Sequence, residues 1–320
     1  MKLLFVVHRY SPFPGGSEIY VQSMAEESLK RGHKVAVLTG EHKGDLNNVH
    51  VTSDPSIFNQ GWDLVVVHGG DVSVQNWVLS QATEIQKYMK ILYLIVLPSH
   101  SQVCINALKD CAYIGCSTVQ DWEHCEKYNV LNKAVKIRHG IKLENCVGIS
   151  GFKQKYNINK RMFLSCGGYW PNKAMIELSK IFEESKLNDS ILVTTGYDNR
   201  MNLMPQRTEN VLPLLIDDRT EVLSAIKDAD CLIMHSYQEG FGLVLLEATI
   251  NKTPWIAREI AGAKELKKYG QTYQTDDQLY NLLNTFNRNS TVIDNSYEYV
   301  LKNHLIQHTI DDIETLIKHA

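Results

Sequence analysis

Short apolar runs recur along this chain, each followed by a stretch with helical spacing, and that alternation is the strongest constraint on its fold. Residues 3–7, 35–38, 64–67, 91–97, 113–116 and 135–137 form a first series, and 162–165, 191–194, 211–214, 231–234 and 255–257 a second. Runs that are apolar throughout and separated by helices are buried on both faces, as in parallel sheets. Two series in 320 residues predict two doubly wound, Rossmann-like α/β domains, each large enough to bury a core of its own. Their boundaries are expected at 1–145 and 146–295, with the polar stretch 142–161 as the linker and a helical segment at 296–320. Ligands of such sheets gather at the carboxyl ends of the strands, so two facing domains are expected to enclose a cleft.

The residues just past the strands carry the chemistry. After 231–234 come Glu239-Gly240-Phe241-Gly242-Leu243 and then Glu247. A strand, a glycine turn and a helix N-terminus make an anion site from free backbone N–H groups. Two carboxylates beside it suit the recognition of sugar or ribose hydroxyls; the bland alternative is a tight turn with solvated glutamates. After 162–165, Gly167-Gly168 precede Lys173, which is placed to meet a diphosphate as a point charge. Gly196 follows 191–194 in the same way. After the first run, Gly15-Gly16 let the backbone approach a ligand and Ser17-Glu18 open a helix. His100 follows 91–97, and His68, after 64–67, competes with it for a place at a site.

Other classes find less support. Net charge is −3, so there is no global basic excess for a nucleic acid or an anionic membrane. The basic residues Lys133, Lys136, Arg138, His139, Lys142, Lys153, Lys155, Lys160 and Arg161 read as solvated surface or, less simply, as a rim for an anionic acceptor. Seven scattered cysteines without a C-x-x-C pair fit a reducing, cytoplasmic setting. The longest membrane candidate, 91–97, is far too short to span a bilayer. Asp228-Ala229-Asp230 imitates a metal-binding D-x-D, yet it precedes a strand and so lies at the wrong end of the sheet. The histidines and cysteines show no metal-ligand spacing, and no cofactor is expected. A dinucleotide dehydrogenase would need G-x-G-x-x-G after the first strand, which Pro12-Phe13-Pro14-Gly15-Gly16-Ser17 is not.

Glu239 through Ala248 resembles the E-x7-E signature of retaining glycosyltransferases with the GT-B fold, family 4, also called glycosyl transferases group 1. Gly15-Gly16-Ser17-Glu18, Arg31-Gly32-His33, Pro254 and Gly262 through Glu265 fall in the family's order. The resemblance implies a metal-independent transferase that moves a hexose from a nucleotide diphosphate sugar to an acceptor hydroxyl. By the same resemblance Glu239 holds the donor sugar, Glu247 the ribose and Lys173 the diphosphate, with His100 beside the transferred sugar and the final helix crossing back to the first domain. The family's G-R-x-x-x-x-K carries an arginine where this chain has Gly168, so an arginine restored there is expected to strengthen donor binding, unless Arg138 or Arg200 substitutes. The acceptor stays open among polysaccharide, protein, small glycoside and nucleic acid. An epimerase or hydrolase on the same fold, or a binding module without turnover, are the alternatives.

Overall fold

The computed structural model describes residues 1–41, 44–69, 90–95, 101–199 and 201–318. The chain divides into two compact units, Met1–Gly140 with His304–Ala320, and Ile141–Asn303.

Unit 1 holds a seven-stranded, all-parallel sheet: β1 (Lys2–Arg9), β2 (Lys34–Glu41), β3 (His50–Thr52), β4 (Leu64–His68), β5 (Ile91–Leu94), β6 (Tyr113–Cys116) and β7 (Ala134–Lys136), in the order β3-β2-β1-β4-β5-β6-β7. The central strands are the most apolar because helices cover both of their faces. Leu3, Leu4, Phe5 and Val6 in β1 and Val65, Val66 and Val67 in β4 are fully buried.

Unit 2 holds six parallel strands: β8 (Arg161–Cys166), β9 (Ser190–Gly196), β10 (Val211–Leu215), β11 (Cys231–Met234), β12 (Trp255–Arg258) and β13 (Gln271–Tyr273), in the order β10-β9-β8-β11-β12-β13. The sheet grows outward in opposite directions from the β8–β11 pair. The loops that leave these two strands therefore diverge, and the crevice between them is where ligands of such sheets bind.

Two expectations need correction. The stretch 142–161 is no free linker: Ile141, Cys146, Phe152 and Ile158 sit in the core of unit 2, and Phe152 opens the short helix Phe152–Lys155. Isolated apolar residues in a polar segment were enough to anchor it. The three-residue edge strands β3 and β13 were not anticipated, because edge strands this short carry little hydrophobic pattern.

The helix Ile306–Lys318 packs on unit 1 through long-range ion pairs. Arg31 Nη1 donates to Asp311 at 2.8 Å, His33 Nε2 meets Glu314 at 2.8 Å, and Arg138 grips Asp312 through Nε and Nη2 at 2.9 and 2.6 Å. A Cβ at Gly140 would fall 2.4 Å from the Leu305 carbonyl oxygen. Arg31-Gly32-His33 is thus a clamp for the last helix.

Candidate functional site

The crevice of unit 2 is built from the two diverging loops. β8 ends in Cys166, and the chain turns through Gly167-Gly168 into a 3-10 turn, Pro171–Lys173. β11 ends in Met234 and is followed by His235 to Gly242 and the helix Leu243–Ile250. The loops are laced together by hydrogen bonds: Tyr237 N donates to Asn172 O at 2.7 Å, and the Asn172 side-chain Nδ2 to Gln238 O at 3.1 Å. This lacing sets Lys173 against Glu239, with Nζ 2.5 Å from Oε1. Ser236 Oγ donates to the same carboxylate oxygen at 2.6 Å. The pair is partly shielded, its side chains 22% and 12% exposed.

Gly242 caps the helix in the left-handed region, φ 90°, where a side chain is disfavoured. A Cβ there would also come within 2.8 Å of Met234 Sδ. The glycine lets the loop pass close over the end of β11 and aims the first N–H groups of the helix into the crevice. Phe241 is buried, its carbonyl accepting from Gly262 N at 3.0 Å, so the turn is fixed from below.

Glu247, one turn into this helix, is not solvated. Its side chain is 6% exposed and paired with Arg219 Nη2, from the first position of the helix Arg219–Asp228. Burial alone would lower the guanidinium's proton affinity, but the Glu247 carboxylate beside it raises it above the ordinary value. The Cys146 thiol is pushed up to about 12, first by burial, with the Glu247 and Arg219 charges acting on it in opposite directions. Cys166, at the tip of β8, is likewise pushed up to about 12, first by burial, and its thiol lies within electrostatic reach of Glu247, Arg219 and Lys173 together. The two ion pairs thus both lie at the carboxyl edge of the sheet, on the segments that follow β8, β10 and β11. Arg219 was not singled out from the sequence; its only local signal is its place at a helix start.

The remaining residues are placed as follows. Gly196 ends β9, and the space of its absent side chain is taken by the Tyr169 ring at 2.6 Å. Gly240 lies in the β11 loop and Leu243 opens the helix behind it. Gly15 and Gly16 belong to unit 1, at the start of the helix Gly16–Lys30, where Gly15 leaves room for the Glu18 carboxylate. Arg9 Nε donates to Glu18 at 3.1 Å. His100 and Arg200 lie outside the described residues. His68 is buried at the tip of β4, where burial pushes its proton affinity down to about 3 and its Nδ1 has no partner.

Gly168 does not leave an empty place for an arginine. A Cβ there would fall 2.0 Å from Trp170 Nε1, so the indole occupies the space. Arg138 is no substitute cation either, because Asp312 holds it in unit 1. Most of the basic cluster is likewise paired or used by backbone: Lys153 with Asp230, Lys155 with Glu221, Lys160 with Glu209, Lys142 with Glu144, and Lys133 with the Cys111 carbonyl. Asp228 accepts from Gly151 N and Lys153 N, and Asp230 from Met162 N; both acids are spent on local structure.

Beyond the β11 tip, His235 Nδ1 meets Tyr273 OH at 2.6 Å and Nε2 lies 3.3 Å from Arg258 Nη2. Burial and then the Arg258 charge push this histidine down to about 4. Arg258 in turn donates to Asp276 at 3.0 Å and lies over the Tyr237 ring at 4.9 Å.

Residues 150–278 match the family model described as glycosyl transferases group 1. Among solved structures, the chain is similar to sucrose-phosphate synthase from Thermosynechococcus elongatus, with a TM-score of 0.76, 17% identity and coverage of 100% of this chain and 98% of that one. It is similar to HepE of Anabaena in complex with UDP, with a TM-score of 0.78, 15% identity and full coverage of both chains. It is also similar to the catalytic domain of starch synthase IV from Arabidopsis thaliana, bound to ADP and acarbose, with a TM-score of 0.70, 11% identity and coverage of 100% and 99%. No curated protein matches the chain in sequence. The resemblance to glycosyl transferases group 1 drawn from the E-x7-E stretch is borne out over 150–278, and the fold is that of the two-unit, Rossmann-like GT-B proteins. The family match supports glycosyl transfer from a nucleotide sugar as the activity class. No helix among the described residues is long and apolar enough to cross a membrane.

Proposed function

We propose that the chain is a retaining hexosyltransferase that uses a nucleotide diphosphate sugar without a metal ion. The observation that carries this reading is the Lys173–Glu239 pair, seated between the tips of β8 and β11 at the head of a glycine-capped helix. Lys173 and the N–H groups of Gly242 and Leu243 take the diphosphate and stabilise its growing charge as it leaves, the preorganised help a metal supplies elsewhere. Glu239, released from Lys173, takes the sugar's hydroxyls, and Glu247 the ribose hydroxyls. In the reaction, the bond from the anomeric carbon to the phosphate oxygen breaks and one to the acceptor oxygen forms on the same face. The acceptor's proton passes to the leaving phosphate. His100 positions the sugar, and Gly15 and Gly16 belong to the loop that meets the substrates.

The similarity to a protein solved with UDP makes UDP-sugars the first donors to try. The acceptor is a hydroxyl of a polysaccharide, protein, small glycoside or nucleic acid. Seven free thiols support a cytoplasmic setting.

Thermal unfolding in the presence of chelator and UDP-, GDP-, ADP- or dTDP-sugars tests the reading. A ligand at 100 times its dissociation constant adds about 2.7 kcal/mol to the native state, which moves the midpoint by several degrees. A shift with one base, followed by transfer that retains anomeric configuration, is the expected result. No shift with any donor refutes the donor site; release of free sugar or an altered nucleotide sugar without acceptor replaces transferase with hydrolase or epimerase.

A further inference from the structure

The crevice of unit 2 contains two cations and two carboxylates, paired as Lys173–Glu239 and Arg219–Glu247. The four side chains balance to zero. A nucleoside diphosphate brings at least two negative charges, and Lys173 alone answers one of them. Position 168 cannot add another without moving Trp170.

Arg219 has what the second charge requires. Its side chain remains 30% exposed while its partner Glu247 is 6% exposed, so the pair is open from the arginine side. Among the described residues it has no second carboxylate partner. It lies at the same carboxyl edge of the sheet as Lys173: it opens the helix that follows β10 and pairs with Glu247 in the helix that follows β11, while Lys173 Cε stands 3.2 Å from where a side chain at Gly167, just past β8, would begin. The carboxyl edge of the sheet therefore carries both cations, beside the point where the sheet order reverses and ligands gather. A guanidinium presents its donors as a planar fork, so it can keep a carboxylate on one edge and bind phosphate oxygens on another.

We propose that Arg219 is the second cation of the donor site, pairing with Glu247 and binding the diphosphate of the incoming donor. This rests on the donor-site reading above. The rival role is local: Arg219 neutralises a buried carboxylate and touches no ligand.

The two roles separate in a binding experiment that uses pyrophosphate, which has phosphates and no ribose. Arg219→Gln alone leaves Glu247 buried without its cation and endangers the fold, so the comparison is between Glu247→Gln and the charge-balanced double variant Glu247→Gln/Arg219→Gln. Calorimetric titration with UDP and with pyrophosphate is expected to show the double variant about 10- to 100-fold weaker than Glu247→Gln for both ligands, the range of a hydrogen bond to a charged group. Glu247→Gln/Arg219→Lys is expected to recover part of the loss. Equal pyrophosphate affinity in the first two variants, with melting midpoints alike, overturns the proposal and leaves the donor site standing. A wild-type protein that binds neither pyrophosphate nor UDP, GDP, ADP or dTDP overturns the donor site, and the role of Arg219 falls with it.

Discussion

Glu239→Gln is expected to bind the bare nucleoside diphosphate more tightly than the wild type while losing transfer. Glu239 occupies the cation that the diphosphate needs, with Lys173 Nζ at 2.5 Å. At that separation and an effective dielectric of about 20 the gross attraction is about 6–7 kcal/mol. Most of it is returned as hydration when the pair opens. Exposed pairs are worth roughly 0.2–1 kcal/mol and breaking fully buried ones costs roughly 3–5; side chains 22% and 12% exposed place this pair between, at about 1–2 kcal/mol. Glutamine keeps the shape and the Ser236 contact but makes no ion pair, so the diphosphate recovers that energy as about 5- to 30-fold in affinity. The sugar nucleotide gains less, because a neutral amide grips hydroxyls more weakly than a carboxylate. Titration of both proteins with whichever of UDP, GDP, ADP and dTDP binds best, and with its glucose conjugate, measures the two effects. An unchanged or weaker diphosphate affinity in a variant that melts normally would refute the reasoning, since the pair would then not stand in the ligand's way.

Gly168→Arg is expected to destabilise the protein by about 1–3 kcal/mol, the usual cost of overpacking, because the new Cβ meets the Trp170 indole; a chemical denaturation curve that matches or exceeds wild type would show that the indole moves freely. Gly140→Ala is expected to loosen the helix Ile306–Lys318 by a similar amount through its clash with the Leu305 carbonyl, read as faster hydrogen exchange in that helix. His235 gives unit 2 an acid-sensitive element. Its folded value near 4 lies below the unfolded one near 6.5, so the unfolded chain binds more protons between these pH values and stability falls as pH drops through that window, by at most about 1.4 kcal/mol per pH unit. His235→Gln removes that part of the slope, and urea denaturation of both proteins at pH 7.5, 6 and 5 checks it.

The strands at the heart of both sheets were legible because they are buried on two faces, so their middles are nearly continuous apolar runs. The Glu239–Glu247 stretch was legible because glycines at a strand-to-helix joint and acids near it are unusual for any purely structural turn. What escaped was pairwise and distant. Arg219 acquires its meaning from Glu247, in another helix, and Arg31 and His33 from acids near the far end of the chain. A loop reading could not reveal Trp170 over Gly168, since the fold of the turn decides which side chain fills the space. Cys146 and Phe152 sit in a stretch whose polar neighbours mask them, and only burial in unit 2 exposes their role.

The clamp between Arg31, His33, Arg138 and the helix Ile306–Lys318 makes unit 1 a body assembled from two separated lengths of chain. During translation its first 140 residues leave the ribosome long before their last helix exists. The intervening Ile141–Asn303 is contiguous, and its synthesis keeps the two parts of unit 1 apart for on the order of 10–30 s at roughly 5–20 residues per second. Unit 2, which carries the paired charges, needs no residue beyond Asn303, so a released chain truncated after residue 303 would present a finished crevice on a protein whose unit 1 still lacks its final piece.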